Sequence, residues 1–404
     1  MSQPLDGIRV ADFTWVWAGP TCTMQLAHLG AEVIRMETTN RICTIRMLPP
    51  WPGGQPGPNR SGYFNQYNQG KRGILLNIAT PEGAAIAKRL VAISDVAAEN
   101  FAAGIMKKLG LDYDELVKVK QDLVMISMSG YGQTGPESSY VSYGPAQVPM
   151  SGLSQLTGYD DEQPMHVGMS YGDPNAGLHA AFAVVAALFH RDRTGRGQYI
   201  DMSQWESSMG VLGEAFMHLA MNGEQPRRNA NRSEFMAPHG VYLVSGDDRW
   251  ISIAVRGDDQ WLKLCEVMDR PDLADDPRFR TLAGRKANED DLDMAMMEWT
   301  LQHEDPYEIE AKLQAVGIAA AVPQKNSEVL SDKHIEDRGF FVDLEHPEVG
   351  VRRHAGIPWK LSETPCEVKR AAPIMGQDNE YVFGEILGMS SAEIADLTER
   401  AVIR

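Results

Sequence analysis

Over the first 130 residues, short apolar runs alternate with helix-length segments, and few folds accept that alternation. GIRVADFT (7–14) reads as a buried strand, and PTCTMQLAHLG (20–30) as a helix closing on a glycine. AEVIRME (31–37) and GILLNI (73–78) are further strands. Thr80, Pro81 and Glu82 supply an N-cap, a first-turn proline and a first-turn acid for a helix running to about Ile93. SDVAAEN (94–100), a helix near YDELVKVK (113–120) and LVMISMS (123–129) complete the series. Strands alternating with helices of this length imply an α/β fold with a mainly parallel, doubly wound, Rossmann-like sheet.

Such sheets bind ligands in the crevice beyond the carboxyl ends of their strands. The segments at those ends are WVWAGP (15–20), ENFAAG (99–104) and SGYGQTGP (129–136), all carrying glycine, asparagine or aromatic residues. No GxGxxG follows the first strand and no GxxxxGK[ST] occurs, which disfavours a nicotinamide or flavin dinucleotide fold and a P-loop.

The segment 48–73, rich in Gly, Pro and aromatics, reads as a long surface loop or a functional cover. After an apolar helix (176–189), RDRTGRGQYIDMS (191–203) turns into a strand, and 204–220 is helical. Composition shifts at NGEQPRRNANRSEF (222–235). HGVYLVSGDDRWISIAV (239–255) then reads as a hairpin and 258–316 as helices, whose acid-rich stretch 287–301 is a solvated face. The expected division is a large domain over 1–222, a small α+β domain over 223–325, and a linker with C-terminal helices over 326–404 that return to the large domain.

A net charge of −17 argues against binding nucleic acid or an anionic membrane through bulk electrostatics, yet leaves room for a small anion in a local basic pocket. Cys22, Cys43, Cys265 and Cys366 are scattered without CxxC spacing, so neither a metal site nor a disulfide framework is expected, and a reducing cytoplasm fits best. No signal-like start and no run near the roughly 18 apolar residues of a membrane span is present.

Candidate chemistry is sparse. His179, inside the apolar helix, reads as a core histidine, and no serine sits in a GxSxG elbow. Lys71, Arg72, Lys107 and Lys108 flank the crevice, as solvated surface or as phosphate-holding pairs. In SYGDPNAGLHAA, Asp173 precedes Pro174 at the head of the apolar helix. An N-cap is the plainer reading. The other is a nucleophile, held ionised by the helix N-terminus and attacking an acyl carbon beside backbone N–H donors.

The stretches PLDGIRVADFTWVWAGPTCTMQLAHLGAEVIRME, NQGKRGILLNIATPEG, ENFAAGIMKKLG, SGYGQTGP, YGDPNAGLHAA and RTGRGQYIDMS, in this order, resemble the family III CoA-transferases, which include formyl-CoA transferase and the related α-methylacyl-CoA racemases. The resemblance runs through nearly the whole chain and is strongest over 4–205. It implies an interlocked dimer, each chain threaded through its partner, as a homodimer or as a hetero-oligomer with a related subunit. It places the nucleophilic aspartate on Asp173. It implies coenzyme A, entering as an acyl-CoA substrate, with contacts at Val16, Ala18, Leu76, Asn77, Ala79, Asn100, Phe101 and Lys108, and with Arg72 and Tyr143 as further candidates. Trp15, Trp17 and Tyr131 are expected to line the acid pocket.

Departures from the family pattern narrow the subtype. The racemase histidine position falls on Tyr143, and an unperturbed phenol titrates near 10, so an acyl-CoA racemase or isomerase is the alternative rather than the first reading. A non-catalytic CoA-binding subunit is a second alternative, against which the retained Asp173 counts. Trp17 replaces the glutamine of formyl-CoA transferases, and 227–240 lacks their glycine run, so a small acceptor such as oxalate is not expected. The family's basic residue after IRME is Thr38 here. The subtype this resemblance points to is the aromatic-acid members, notably the benzylsuccinate CoA-transferase subunits. Succinyl-CoA is the donor this implies, and a larger, partly apolar acid the acceptor.

Overall fold

The computed structural model describes residues 2–404. The chain divides into two compact units, one running through residue 155 and including 165–226 and 336–404, the other formed by 156–164 and 227–335. The second unit therefore starts four residues later than the expected small domain, ends ten later, and takes in a segment from 156–164.

In the larger unit six strands, β1 (Arg9–Asp12), β2 (Glu32–Glu37), β3 (Arg72–Leu75), β4 (Val96–Glu99), β5 (Val124–Ser129) and β6 (Gln198–Ser203), pair in parallel in the order β3-β2-β1-β4-β5-β6. The chain order reverses between β1 and β4. The inner strands are buried on both faces, as their continuous apolar runs require, whereas edge strand β6 alternates. Helices α1 (Ala18–His28), α2 (Gly62–Tyr67), α3 (Pro81–Ala92), α4 (Ile105–Lys108), α5 (Tyr113–Leu116), α6 (Gly144–Met150), α7 (Leu153–Leu156) and α8 (Gly172–Thr194) follow in chain order. Thr80 caps α3 by accepting from the Gly83 N–H, with Pro81 in the first turn. The helix expected over 204–220 is broken into α9 (Gln204–Met209) and α10 (Gly213–Asn222), with Gly210 ending the first and Gly213 opening the second.

Two features of this unit are long-range. Val382, Phe383, Met389, Val402 and Ile403 enter the core formed by Ile34, Ile74 and Leu90, so the C-terminal segment covers the β2–β3 side of the sheet. The Asn77 N–H donates to the Val402 carbonyl at 2.8 Å. A two-stranded antiparallel hairpin, β10 (Phe341–His346) and β11 (Gly350–Ala355), is tied to α2 by Gln66, which donates to and accepts from the Ala355 backbone at 3.0 and 3.2 Å.

The 48–73 segment is held by Arg46. Its buried guanidinium pairs with Glu37 at 2.6 Å, stacks 3.5 Å from the Phe64 ring centre, and donates to the carbonyls of Pro58 and Pro373. Arg46 and Arg35 hold the buried Glu37 carboxyl down at about 2, against the upward push of burial.

The smaller unit packs helices 258–268, 271–275, 282–287, 289–300 and 306–315 on a three-stranded antiparallel sheet, ordered β7 (His239–Leu243), β8 (Trp250–Ala254), β9 (Ala319–Ala321). Trp261, Phe279, Met296 and Trp299 fill its core.

Candidate active site

The loop leaving β1 is fixed from below. Asp12, fully buried, accepts from the Thr14 N–H at 2.8 Å and the Thr23 hydroxyl at 2.8 Å, and pairs with Lys71 Nζ at 3.3 Å. Lys71 also donates to the Pro20 carbonyl at 3.0 Å and to Asn68 at 2.9 Å. Burial brings its ammonium down to about 8 despite Asp12. Lys71 is thus a structural cation and not the phosphate ligand that its position beside the crevice suggested. Arg72 is committed as well. It lies at the amino end of β3, bonded to Glu32 at 2.9 Å and Asp378 at 3.2 Å, with its guanidinium 4.0 Å from the Tyr381 ring centre.

Asn100, just past β4, clasps the backbone of Trp15, accepting from its N–H at 2.6 Å and donating to its carbonyl at 2.8 Å. The next residue, Val16, has φ 60°, a left-handed conformation that is costly for a β-branched side chain. Trp15 and Asn100 are therefore locked together at the ends of β1 and β4, where doubly wound sheets open their ligand crevice.

Asp173 sits at that crevice. It is the second residue of α8, after N-cap Tyr171, and makes no capping bond, so the N-cap role suggested by Asp-Pro is not realised. Its carboxyl, 8 % exposed, accepts from the Ser170 hydroxyl. The backbone N–H groups of Ala18, which opens α1, and of Gly144, which opens α6, also favour its charged form. Burial outweighs them and raises the carboxyl above the usual aspartate value. Two glycines permit this arrangement. A Cβ on Gly144 would lie 2.8 Å from Asp173 Cγ and overlap the carboxyl itself, and one on Gly177 would lie 2.7 Å from the Ala18 carbonyl, so α8 crosses α1 in direct backbone contact. The result is a desolvated carboxylate among N–H donors, suited to covalent attack on an acyl carbon or to proton transfer.

A cavity of about 300 Å³ opens onto this carboxyl. It gathers Trp15, Val16, Asn100, Phe101, Tyr143 and Asp173 from the sequence-derived candidates. Ala18 adjoins through its N–H. Lys108 is exposed on α4, whose first residue, Ile105, lines the cavity. Leu76, Asn77 and Ala79 lie past the end of β3, outside the lining, with their N–H groups bonded to Glu37, Val402 and the Asn77 side chain. Tyr131 is not among the residues lining this cavity; its ring packs edge-on against Tyr140 and Trp205. His179 is exposed on α8 rather than in a core.

Arg41 was not legible from sequence. It lines the cavity, with its guanidinium 5.2 Å from the Trp15 ring centre and no carboxylate partner among the described residues. It supplies a cation three residues beyond Thr38. Ser170 and Gly144 were likewise missed, since neither residue type advertises a role without its neighbours.

A second cavity, about 540 Å³, contains Trp17 and has an aromatic wall of Trp17, Tyr63 and Tyr67, with ring centres 5.2–5.6 Å apart. Burial and the charge of Asp173 push the Tyr63 phenol up. Arg60 from the 48–73 segment and Arg352, Arg353 and His354 from β11 complete it. In the smaller unit, a cavity also of about 540 Å³ is internally satisfied: Arg232 bonds Asp290 and Asp293 at 2.6 and 2.7 Å, and Tyr242 bonds Asp293 at 2.9 Å.

Comparison with known proteins agrees with this geometry. The family model described as CoA-transferase family III matches residues 5–379. A succinyl-CoA–D-citramalate CoA-transferase from Chloroflexus aurantiacus is 31% identical over 99% of this chain and 98% of that protein. A succinate–glutarate CoA-transferase from Agrobacterium fabrum is 33% identical over 95% of this chain and 96% of that protein. A crystal structure of a CaiB/BaiF family protein from Brucella suis superposes with a TM-score of 0.89 at 31% identity, covering 96% of this chain and 100% of that one.

Proposed function

The chain belongs to CoA-transferase family III, and on that premise we propose that it moves CoA from succinyl-CoA to a second, larger carboxylic acid through covalent intermediates on Asp173. The observation that carries this reading is the Asp173 carboxyl, buried among the Ser170 hydroxyl and the N–H groups of Ala18 and Gly144 at the floor of a crevice.

Asp173 attacks the thioester carbonyl of succinyl-CoA, giving a succinyl–aspartyl anhydride and CoA thiolate. The thiolate attacks the aspartyl carbonyl, which forms an aspartyl-CoA thioester and releases succinate. The acceptor carboxylate attacks that thioester to form a second anhydride, again freeing the thiolate. Attack of the thiolate on the acceptor carbonyl yields the new acyl-CoA and regenerates the Asp173 carboxylate. The Ala18 and Gly144 N–H groups stabilise the oxyanion at each addition. CoA supplies the thiol, and the protein supplies position and the excluded solvent.

CoA is held along Trp15–Ala18 and Asn100–Phe101, with Tyr143 on the wall and Arg41 and Lys108 as candidate phosphate cations. Benzylsuccinate is the acceptor that the sequence resemblance favours. The working form is an interlocked dimer, for which the exposed Leu178, Phe182 and Phe189 on α8 offer an apolar face to cover. The proposed location is cytoplasmic, on the scattered spacing of the four cysteines in the sequence. No helix among the described residues is long and apolar enough to cross a membrane.

The test is incubation with succinyl-CoA and a panel of acids, read by mass spectrometry, with hydroxylamine or borohydride trapping of the thioester at Asp173. Asp173→Asn abolishes transfer while the fold and CoA binding persist. Transfer retained by that variant overturns the mechanism.

A further inference from the structure

Helix α6 opens on the reacting carboxyl without a capping side chain. Its N-cap residue, Tyr143, makes no capping bond, and Pro145 in the first turn has no N–H to offer. The N–H groups of Ala146 and Gln147 are both spent on the Tyr143 carbonyl, at 2.8 and 3.3 Å. Among the first four residues of α6, Gly144 alone keeps a donor for Asp173. The aim of that N–H therefore depends on what fixes residues 142–144.

Gln147 fixes them. It lies one turn beyond Gly144 on the same face of α6 and is fully buried. Its Nε2 donates to the Ser142 hydroxyl at 2.9 Å, so the amide spans the helix opening and ties back the residue before the N-cap. Gly130, just past β5, leaves the room this needs, since a Cβ there would lie 3.1 Å from Nε2 and overlap the Ser142 hydroxyl. The other end of the amide, Oε1, faces the head of α8, where a Cβ on Gly172 would lie 3.7 Å away. Oε1 has no partner among the described residues. Burying an amide with one end unsatisfied costs stability that a methionine of similar length would not. Packing does not account for a glutamine here, whereas the bond to Ser142 does. Ser142 lines the cavity at Asp173, and Gln147 stands behind it, outside the lining.

We propose that Gln147 is a positioning residue for the transfer reaction: through Ser142 it holds the opening of α6 so that the Gly144 N–H meets the Asp173 carboxyl and the oxyanion formed there. The inference rests on the transferase reading and adds to it a residue that acts only through others. No bond to Gln147 forms or breaks in any step.

The test follows the succinyl-CoA half-reaction by hydroxylamine trapping at Asp173, in the wild type, Gln147→Met, Ser142→Ala and the double variant. Gln147→Met is expected to lower the saturating rate about tenfold or more, short of the roughly 10²–10³-fold that outright loss of an oxyanion donor costs. The half-saturating succinyl-CoA concentration stays near the wild-type value, because the interaction lost is one made in the transition state. Ser142→Ala lowers the rate in the same direction, and the double variant is no slower than Gln147→Met, since the two residues act as one unit. The acid limb of the rate profile moves to higher pH in both single variants, as Asp173 loses a donor to its ionised form. The melting temperature of Gln147→Met does not fall, because the orphaned oxygen is gone. A rate near that of the wild type, an unmoved acid limb, or losses that multiply in the double variant overturns the inference and leaves the transferase reading standing. Should Gln147→Met not fold, Ser142→Ala decides alone by the same rate and limb. Failure of trapping in the wild type overturns both.

Discussion

The carboxyl of Asp173 occupies the space into which a side chain at position 144 would grow, since a Cβ built on Gly144 lies 2.8 Å from Asp173 Cγ. Gly144→Ala therefore displaces the carboxyl without disturbing the sheet beneath it. The expected outcome is a loss of about 10²-fold or more in kcat/KM, because displacement of a reacting group by about 1 Å carries a cost of that order. Thermal unfolding should move little. Near-normal turnover by this variant would show that Asp173 has room to relocate.

The pH dependence follows from the same burial. Desolvation raises the Asp173 carboxyl above the ordinary value of 3.8, against the hydrogen bonds that favour its charge. The nucleophile is the ionised form, so activity falls as pH drops through the raised value. The acid limb of the kcat/KM profile is then expected above 3.8. Ser170→Ala removes a bond to the ionised form and should shift this limb to still higher pH. A limb unmoved by that variant would assign the titration to another group.

Much of this site was legible in sequence because doubly wound topology decides where strand ends meet. The doubly wound sheet follows from the strand–helix alternation, and Trp15, Val16, Asn100 and Phe101 gather where its chain order reverses, between β1 and β4. The Thr80 cap was readable since its partner lies three residues away. Asp173 was placed at the right helix start but given the wrong local role, because Tyr171 takes the cap position. Lys71 was misread because its partners, Asp12 and Pro20, lie on other elements, and a lysine beside a crevice looks the same whether buried or solvated. Arg352 stayed invisible for a similar reason: only the packing of β11 against α2 brings it beside Trp17 and Tyr63.

The Lys71–Asp12 pair supplies a stability prediction. Both groups are fully buried, and removing one leaves the other charged without its counterion. Lys71→Met is expected to cost about 3–5 kcal/mol in urea unfolding. Adding Asp12→Asn to it should recover part of that loss, since the orphaned charge is then gone. A Lys71→Met protein as stable as the wild type would mean that the pair contributes nothing to holding the β1–α1 loop.

Glu99 is a buried acid at the end of β4 that carries none of the chemistry. It accepts from the Phe101 N–H at 2.7 Å, and burial, with a smaller contribution from the charge of Asp201, raises it to about 7 from an ordinary 4.5. Below 4.5 the group is protonated in folded and unfolded chains alike and imposes no penalty. Between 4.5 and about 7 the unfolded chain releases the proton while the folded one retains it. Stability therefore declines as pH rises across that window, by roughly 3 kcal/mol in total, and is flat with respect to this group above it. Glu99→Gln keeps an oxygen to accept from Phe101 and has no proton to lose. Its melting temperature should match the wild type near the bottom of the window and exceed it increasingly up to the top, with a constant gap beyond. A gap independent of pH would show that Glu99 is solvated in the folded protein and that the Phe101 backbone, which lines the candidate CoA crevice, is not held by a protonated acid.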